Sequence, residues 1–416
     1  MKTLDLTIVG GGMITNDLLL PAVYHLQRID VVREINICAL NSQPLKELKD
    51  NPELMSAFPG QKFNAFPSAD EDKEKMFPEL YKDVLKNMKP RQVVIVAVPD
   101  QFHYDIVMDA LNANQHVLCV KPLVLEYKQA VKIETLAYRK GLFVGVEYHK
   151  RFDRRSLLAK KHYQNGKFGE FKLGEACLIE PYFYRNSNFK NWFTVDKTDP
   201  FVYIGCHYVD LVYFITGLKP TEVSVRGVTG SFPNGNKGYM WSQGSVRFEN
   251  EAILNVNNGL GYPHEGAGSN DQGLIMFCES NLSTGMIKHN DQFRGVTHSY
   301  LKNRDIFKKT FSYLNPDFLQ LAPWNGEGLE PIGYGYDSVA ATIKQTYKIE
   351  NEVVGLNATD SLSKRQQIIK EIDDRGLIAT PANSSINELV VEAARKSIKN
   401  DGDRIKIYYG DNAHVK

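Results

Sequence analysis

The chain lacks most of what marks a specialised class of protein. Its formal net charge is +1 over 416 residues, so no global field favours nucleic acid or an anionic membrane. Local basic runs such as Lys160-Lys161 and Lys308-Lys309 read as solvated faces. The five cysteines, Cys38, Cys119, Cys177, Cys206 and Cys278, are odd in number and form no Cys-x-x-Cys pair. That speaks against a disulfide framework or a zinc site and fits free thiols in a reducing cytoplasm. No His-Glu-x-x-His or similar cluster occurs, so no metal is expected. Long apolar runs are missing too. The longest clean one, Val93 to Val98, is far too short to span a bilayer. Asp5 and the glycines after Val9 break any leader-like segment. No repeat or low-complexity tract is present. What remains is ordinary soluble composition, 43% hydrophobic and 24% charged, in a chain long enough for two domains.

The first distinctive stretch is Leu6-Thr-Ile-Val-Gly10-Gly-Gly12. An apolar strand runs straight into a glycine loop, and a helical pattern follows with Leu18, Leu19, Val23 and Leu26 as its buried side. The spacing is Gly10-x-Gly12-x-x-Thr15. In a strand–turn–helix unit the first glycine permits the tight turn and the second lets backbone approach a pyrophosphate. The helix N-terminus then offers N–H groups and a favourable dipole to the anion. The third position usually holds Gly or Ala, so Thr15 is an imperfect fit. A glycine turn after a strand can also be only a turn.

Strand and helix patterns then alternate. Ile35 to Leu40, Val93 to Val98, His116 to Val120 and Leu142 to Val146 read as strands. Tyr104 to Asn112 and Lys128 to Lys140 read as helices. The all-apolar strands predict a parallel sheet with helices on both faces. This is a doubly wound α/β arrangement of the Rossmann kind, with its ligand at the C-terminal strand ends.

Beyond about residue 150 the pattern changes. A helix from Ser156 to Gln164 precedes a strand from Lys172 to Glu180, and a second helix, His207 to Ile215, ends at Gly217. Closely spaced strands follow: Glu222 to Gly227, Gly244 to Phe248, Ala252 to Asn257, Leu274 to Cys278 and Gly285 to His289. They predict an α+β domain on an open, mostly antiparallel sheet. The stretch Pro323 to Pro331 reads as a loop. The tail reads as helical, with Ile386, Leu389, Val390, Ala393, Ala394 and Ile398 on one face after Ser385-x-x-Glu388. The expected division is residues 1–150, a dinucleotide-binding domain, 151–340, a substrate-binding and oligomerisation domain, and 341–416, a helical tail packing back on the body.

Three more segments sharpen the glycine loop. Ala97-Val98-Pro99-Asp-Gln-Phe-His103 follows one strand, Cys119-Val-Lys121-Pro122-Leu123 follows the next, and Ile204-Gly205-Cys-His207-Tyr-Val-Asp210-Leu211 opens a helix. Tyr148-His149-Lys-Arg151-Phe152 and Gly166-Lys-Phe-Gly169-Glu add to them. Together they resemble the glucose–fructose oxidoreductase/inositol dehydrogenase (Gfo/Idh/MocA) family over at least residues 1–220. The resemblance implies hydride transfer between a nicotinamide cofactor and a sugar, cyclitol or related polyol. It implies Lys121 and His207 as catalytic residues. Lys121 would polarise or orient the substrate oxygen, and His207 would move the hydroxyl proton. Without the resemblance, Lys121 could be a solvated loop lysine and His207 a backbone-bonded helix histidine. The candidate cofactor residues are Gly10, Gly12, Met13 and Ile14 of the loop, Asn41 and Ser42 after the second strand, and Val98, Pro99, His103, Lys121, Pro122 and His149. His103 is given a structural or cofactor-side role. His149 stands where relatives often carry Asn.

The chain departs from the family pattern in three places. Relatives commonly read Glu-Lys-Pro, and here Val120 precedes Lys121. Relatives of the inositol dehydrogenase type carry Asp four residues before the histidine, and here Tyr203 stands there. Its phenol could assist catalysis, donate a proton or bind a substrate oxygen, or it could simply pack. Asn41-Ser42 replaces the acid that would bind a ribose 2′-hydroxyl and repel a 2′-phosphate. NADP is thus permitted, with NAD placed first. Substrate contacts are assigned to Tyr182 and Arg185, in a stretch dense in aromatic and polar groups, together with Lys121, Tyr203 and His207. The segment from Gly259 to Gly273 is read as a long loop that either covers the site or joins two strands. A homo-oligomer, dimer or tetramer, is expected. Two other readings stay open: an NAD-dependent glycosidase working by transient oxidation and elimination, and a non-catalytic dinucleotide-binding regulator.

Overall fold

The computed structural model describes residues 2–264, 270–281, 283–290, 296–299, 311–314 and 318–416. The chain forms two compact units. The first is Met1–Val124, Lys128–Phe152 and Phe318–Ser385, and the second is Leu125–Tyr127, Asp153–Asp317 and Ile386–Lys416. Phe318–Ser385 thus belongs to the first unit and Ile386–Lys416 to the second.

The first unit carries six parallel strands: β1 (Leu4–Val9), β2 (Val32–Cys38), β3 (Asn64–Phe66), β4 (Val93–Val96), β5 (His116–Val120) and β6 (Val144–Glu147). Their order is β3-β2-β1-β4-β5-β6, so the strand order reverses between β1 and β4. Every residue of β4 is buried, as covering by helices on both faces requires. The register pairs Val9 with both Cys38 and Val96, Val96 with Cys119, and Val120 with Glu147. The C-terminal strand ends therefore share one edge, which carries Gly10, Val98, Lys121 and His149. Leu18, Leu19, Val23 and Leu26 are fully buried beneath the sheet, as their spacing predicts.

The helix Tyr334–Glu352 joins this unit because its apolar face has its partners here. Val339, Ala340 and Ile343 complete the core that β1, β2 and β4 begin. Ile349 packs with Phe143 and with Ile368, Ile369 and Ile372 of the helix Ala358–Arg375. The stretch from Pro323 to Pro331 is not a plain loop. Gln320–Pro323 and Leu329–Ile332 pair as an antiparallel hairpin. Arg28 pins it: its guanidinium lies 4.7 Å from the Trp324 ring and 4.9 Å from Phe58, and it donates to the carbonyls of Glu327 and Leu329.

The second unit is built on β7 (Glu170–Pro181), β8 (Pro220–Ser231), β9 (Lys237–Phe248), β10 (Ile253–Tyr262), β11 (Asp271–Glu279) and β12 (Thr284–Asn290), in the order β12-β11-β7-β10-β9-β8. Only the β7–β10 pair is parallel, so the sheet is mostly antiparallel as expected. The strands are longer than their apolar cores suggested. The two ends of the anticipated loop from Gly259 to Gly273 are in fact the end of β10 and the start of β11, while Glu265 lies outside the described residues. The helix Ile386–Lys399 packs on β8, where Ser397 Oγ accepts from Val225 N at 2.8 Å. The tail is not wholly helical, because Ile405–Tyr408 alternates in burial and pairs with β8. Among the described residues no helix is long and apolar enough to cross a membrane.

Candidate active site

The glycine loop is built as its spacing requires. Gly10 has φ +122°, and a Cβ there would lie 2.0 Å from the Ala97 carbonyl oxygen on the neighbouring strand end. Any side chain would force β1 and β4 apart. Gly12 is the opposite case, since a Cβ there would meet nothing within 4 Å. The first glycine is thus demanded by the fold and the second leaves open space above the backbone. The departure at Thr15 has a local reason. Its buried hydroxyl donates to the Gly10 carbonyl at 2.6 Å and ties the helix to the turn. Helical geometry begins at Met13, so Met13 and Ile14 form the opening turn, and Ile14 packs on the core.

After β4, His103 acts as a clamp. It is fully buried, and its two ring nitrogens each lie 2.8 Å from a carbonyl, Val98 on one side and Pro122 on the other. One imidazole thereby fixes the turn at Val98-Pro99 against the turn at Lys121-Pro122. The Lys121–Pro122 bond is cis, and Lys121 itself is half-buried at the end of β5.

His149 lies just past β6. Its ring stacks on Tyr334 at 5.7 Å and meets Phe318 edge-on at 5.2 Å. Its Nδ1 is 3.0 Å from Oε2 of Glu147, whose side chain is 3% exposed. The other oxygen, Oε1, is buried and has no hydrogen-bond partner among the described residues. Sequence reasoning missed Glu147, Tyr334 and Phe318. The available signal was the acid that ends an otherwise apolar strand, Val144-Gly-Val-Glu147.

The end of β2 is less accommodating than expected. Asn41 is half-exposed, and its carbonyl oxygen accepts from Gln43 N at 3.2 Å. Ser42 is buried and donates its hydroxyl to the Glu71 carbonyl at 2.7 Å, so that donor is already committed. Together the Gly12 opening and the unsatisfied Glu147 oxygen fit a dinucleotide along this edge. A separate cleft of about 610 Å³ opens at the opposite, N-terminal strand ends, lined by Asp5, Arg33, Asn36 and Met88, and holds none of the candidate residues.

In the second unit, helical geometry starts at Phe201 rather than at His207. The cap is Asp199, whose Oδ1 accepts from Phe201 N at 2.9 Å and Val202 N at 3.0 Å. His207 is therefore two turns into the helical segment and is buried. Gly205 is required there, because a Cβ would lie 2.5 Å from Asn258 Oδ1. The Tyr203 ring packs among Phe189, Trp192 and Phe193 at 5.2 to 5.7 Å. Arg185 lies over the Tyr182 ring at 4.8 Å, and its Nε donates to the Leu260 carbonyl. Burial lowers its pKa. Asp153 caps the helix Arg154–Gln164 and meets His289 Nε2 at 2.7 Å. Burial alone would raise its pKa, but hydrogen bonds from His289 and Arg155 hold the carboxyl well below the usual range.

Comparison with known proteins follows the same division. Residues 4–148 match the family model of an oxidoreductase family with an NAD-binding Rossmann fold, and residues 157–279 match the GFO/IDH/MocA C-terminal domain. An uncharacterised oxidoreductase of Schizosaccharomyces pombe is 34% identical over 255 residues, 59% of this chain and 59% of that one. D-glucoside 3-dehydrogenase of Escherichia coli is 29% identical over 144 residues, 33% of this chain and 39% of that one. The chain spans less than two thirds of these curated relatives. The solved structure of scyllo-inositol dehydrogenase from Lactobacillus casei, with bound NAD(H) and scyllo-inositol, has a TM-score of 0.60 at 16% identity, covering 97% of this chain and 99% of that one. At that identity the likeness is one of fold. The chain is a member of the Gfo/Idh/MocA family of oxidoreductases, with an NAD-binding Rossmann domain at its N-terminus.

Proposed function

We propose that this protein is an NAD(P)-dependent dehydrogenase that acts on a CH–OH group of a sugar, cyclitol or related polyol. The observation that carries the reading is the shared C-terminal edge of the parallel sheet. There the open Gly12 backbone, Lys121 and the Glu147–His149 pair stand at the ends of β1, β5 and β6. The glucoside and inositol dehydrogenases among the relatives support the substrate class.

A bound nicotinamide would take or give the hydride. The protein's part is to place and charge the reacting oxygen. The Lys121 ammonium would hydrogen-bond that oxygen and stabilise negative charge as the hydroxyl proton leaves. His207, in the second unit, would accept the proton. Gly12 and the opening helical turn at Met13 and Ile14 would receive the pyrophosphate, and Tyr182 and Arg185 would contact the polyol. Asn41 brings no charge to repel a 2′-phosphate, and the Ser42 donor is committed to Glu71, so NAD comes first and NADP is not excluded by repulsion. Tyr203 would assist through its hydroxyl, and the same proton donor would serve the alternative glycosidase reading.

We also assign the protein to the cytoplasm, on its free, mostly buried cysteines. Its association as a homo-oligomer rests on exposed Leu173, Ile253, Phe277 and Met286, which lie side by side in register across β10, β7, β11 and β12.

The test is nucleotide-coupled turnover over a panel of free polyols and glycosides, with NAD and NADP. Lys121→Met should lower turnover at least ~100-fold on the accepted substrate. Near-wild-type turnover would remove Lys121 from the mechanism. Sugar release without net reduced nucleotide would replace the dehydrogenase reading with the glycosidase.

A further inference from the structure

One arginine of the second unit is held in place and has no acid to hold. Arg185 follows β7, in the turn Tyr182–Asn186. Its guanidinium carbon lies 4.8 Å from the centre of the Tyr182 ring and 5.7 Å from that of Trp241 on β9. Its Nε donates to the Leu260 carbonyl of β10. Among the described residues its two terminal nitrogens have no hydrogen-bond partner, and no carboxylate pairs with it. A solvated surface arginine keeps its rotamer freedom. This one is fixed by two rings and a carbonyl, with its paired N–H edge left over. Trp241 is fixed in a similar way. It stands opposite Gly259 in register, and a Cβ on Gly259 or on Gly261 would lie 2.2 Å from an atom of the indole. The ring therefore lies flat along the β10 backbone, and glycine at both positions lets it do so. Trp241 is nevertheless 38% exposed, and Tyr182 is 45% exposed. Large aromatic rings gain much by burial, so two rings left in water around an unpaired cation are what a ligand would cover.

A guanidinium edge offers two parallel N–H donors and matches a carboxylate or a phosphate. A flat indole beside it matches the C–H face of a sugar ring. We propose that Tyr182, Arg185 and Trp241 form a subsite for a sugar or cyclitol that carries an anionic group, with the anion on Arg185 and the ring on Trp241. The inference rests on the polyol dehydrogenase reading above and deepens it, from a neutral polyol to an acidic one. The subsite does not compete with the apolar row offered for association. Gly259, beside Trp241, and Ile253 of that row are roughly 20 Å apart along β10.

The test is calorimetric titration of the wild-type protein with glucose, galactose and mannose, each beside its uronic acid and its 6-phosphate. For at least one of these sugars an acid form should bind about tenfold tighter or more than its parent, the gain of a paired, charged hydrogen bond. A gain with the uronic acids assigns a carboxylate, and a gain with the 6-phosphates assigns a phosphate. No acid form bound tighter than its parent overturns the inference, and this result needs no variant. Arg185→Gln should bring the two forms to within about threefold of each other. Trp241→Ala should weaken the acid form about threefold or more, through the lost stacking surface. A full acid preference kept in Arg185→Gln, or unchanged binding in Trp241→Ala, overturns the inference. Nucleotide-coupled turnover on the same panel separates this subsite from the reading it rests on. Turnover of the parent sugars with no preference for an acid form keeps the dehydrogenase and overturns the acidic subsite. Acid forms bound through Arg185 with no turnover by either nucleotide overturn the dehydrogenase reading, and with it the place of this subsite in substrate binding.

Discussion

Gly10 and Gly12 are two residues apart, yet replacing them should have opposite consequences. In Gly10→Ala the new methyl would sit 2.0 Å from the Ala97 oxygen and 2.6 Å from its carbon. Relief requires the ends of β1 and β4 to separate by about 1 Å, in a fully packed sheet, and the φ of +122° adds backbone strain. Overpacking at ~1–3 kcal/mol and the strained conformation at ~1–3 kcal/mol together predict a loss of roughly 2–6 kcal/mol. In Gly12→Ala the methyl meets nothing within 4 Å and the backbone φ suits an ordinary residue. Stability should hold, or rise by up to about 1 kcal/mol as the unfolded chain loses freedom. The methyl would instead fill the space that a pyrophosphate needs, and NADH affinity should fall at least ~10-fold, about 1.4 kcal/mol. Urea denaturation and NADH fluorescence titration on both variants read the two effects separately. Unchanged NADH affinity in Gly12→Ala would show that the loop is a turn and not a phosphate cradle. A Gly10→Ala protein as stable as wild type would refute the packing argument.

Acid should destabilise the first unit through one buried cluster. Glu350 accepts from Arg365 at 2.7 and 2.9 Å and from His116 Nε2 at 3.1 Å, while His116 Nδ1 accepts from Phe143 N at 2.9 Å. Burial raises the Glu350 pKa, but these donors outweigh it and bring it to about 2. Its contribution, roughly 3 kcal/mol, is complete above the unfolded pKa near 4.5 and is lost as pH falls from there toward 2. Burial lowers the pKa of His116, so the unfolded state takes up a proton first, and stability should begin to decline below about pH 6.5. Urea midpoints between pH 7 and 3 should show both limbs, and Glu350→Gln should abolish the lower one. Thr15→Val removes the 2.6 Å bond to Gly10 with little change of shape and should cost about 1–2 kcal/mol in urea denaturation. Asp199→Ala removes the cap of the segment that leads to His207 and should cost about 1–2 kcal/mol by the same measurement. No loss would mean that Pro200 and the packing of Phe201 suffice to start the helix.

Much of this protein was legible because its signals are local. The glycine loop, the apolar strands and the helix ending at Gly217, where φ is +78°, each follow from short-range rules of period and backbone freedom. What stayed hidden depends on partners distant in sequence. The segment from Ile204 to Leu211 reads as the opening of a helix, but the helix starts earlier, at the Asp199 cap, and the smallness of Gly205 serves Asn258. The interleaving of two units could not be read from composition, because the helix Tyr334–Glu352 carries an apolar face whose owner, the sheet of β1 to β6, is named only by contact. Glu147 is the most instructive case. On its own strand it reads as the point where an apolar run stops. Its carboxylate meets His149 two residues on. Phe318 and Tyr334, distant in sequence, pack against that imidazole. A missing acid in a motif need not mean lost chemistry, since a neighbouring strand end can carry a carboxylate to the same edge of the sheet.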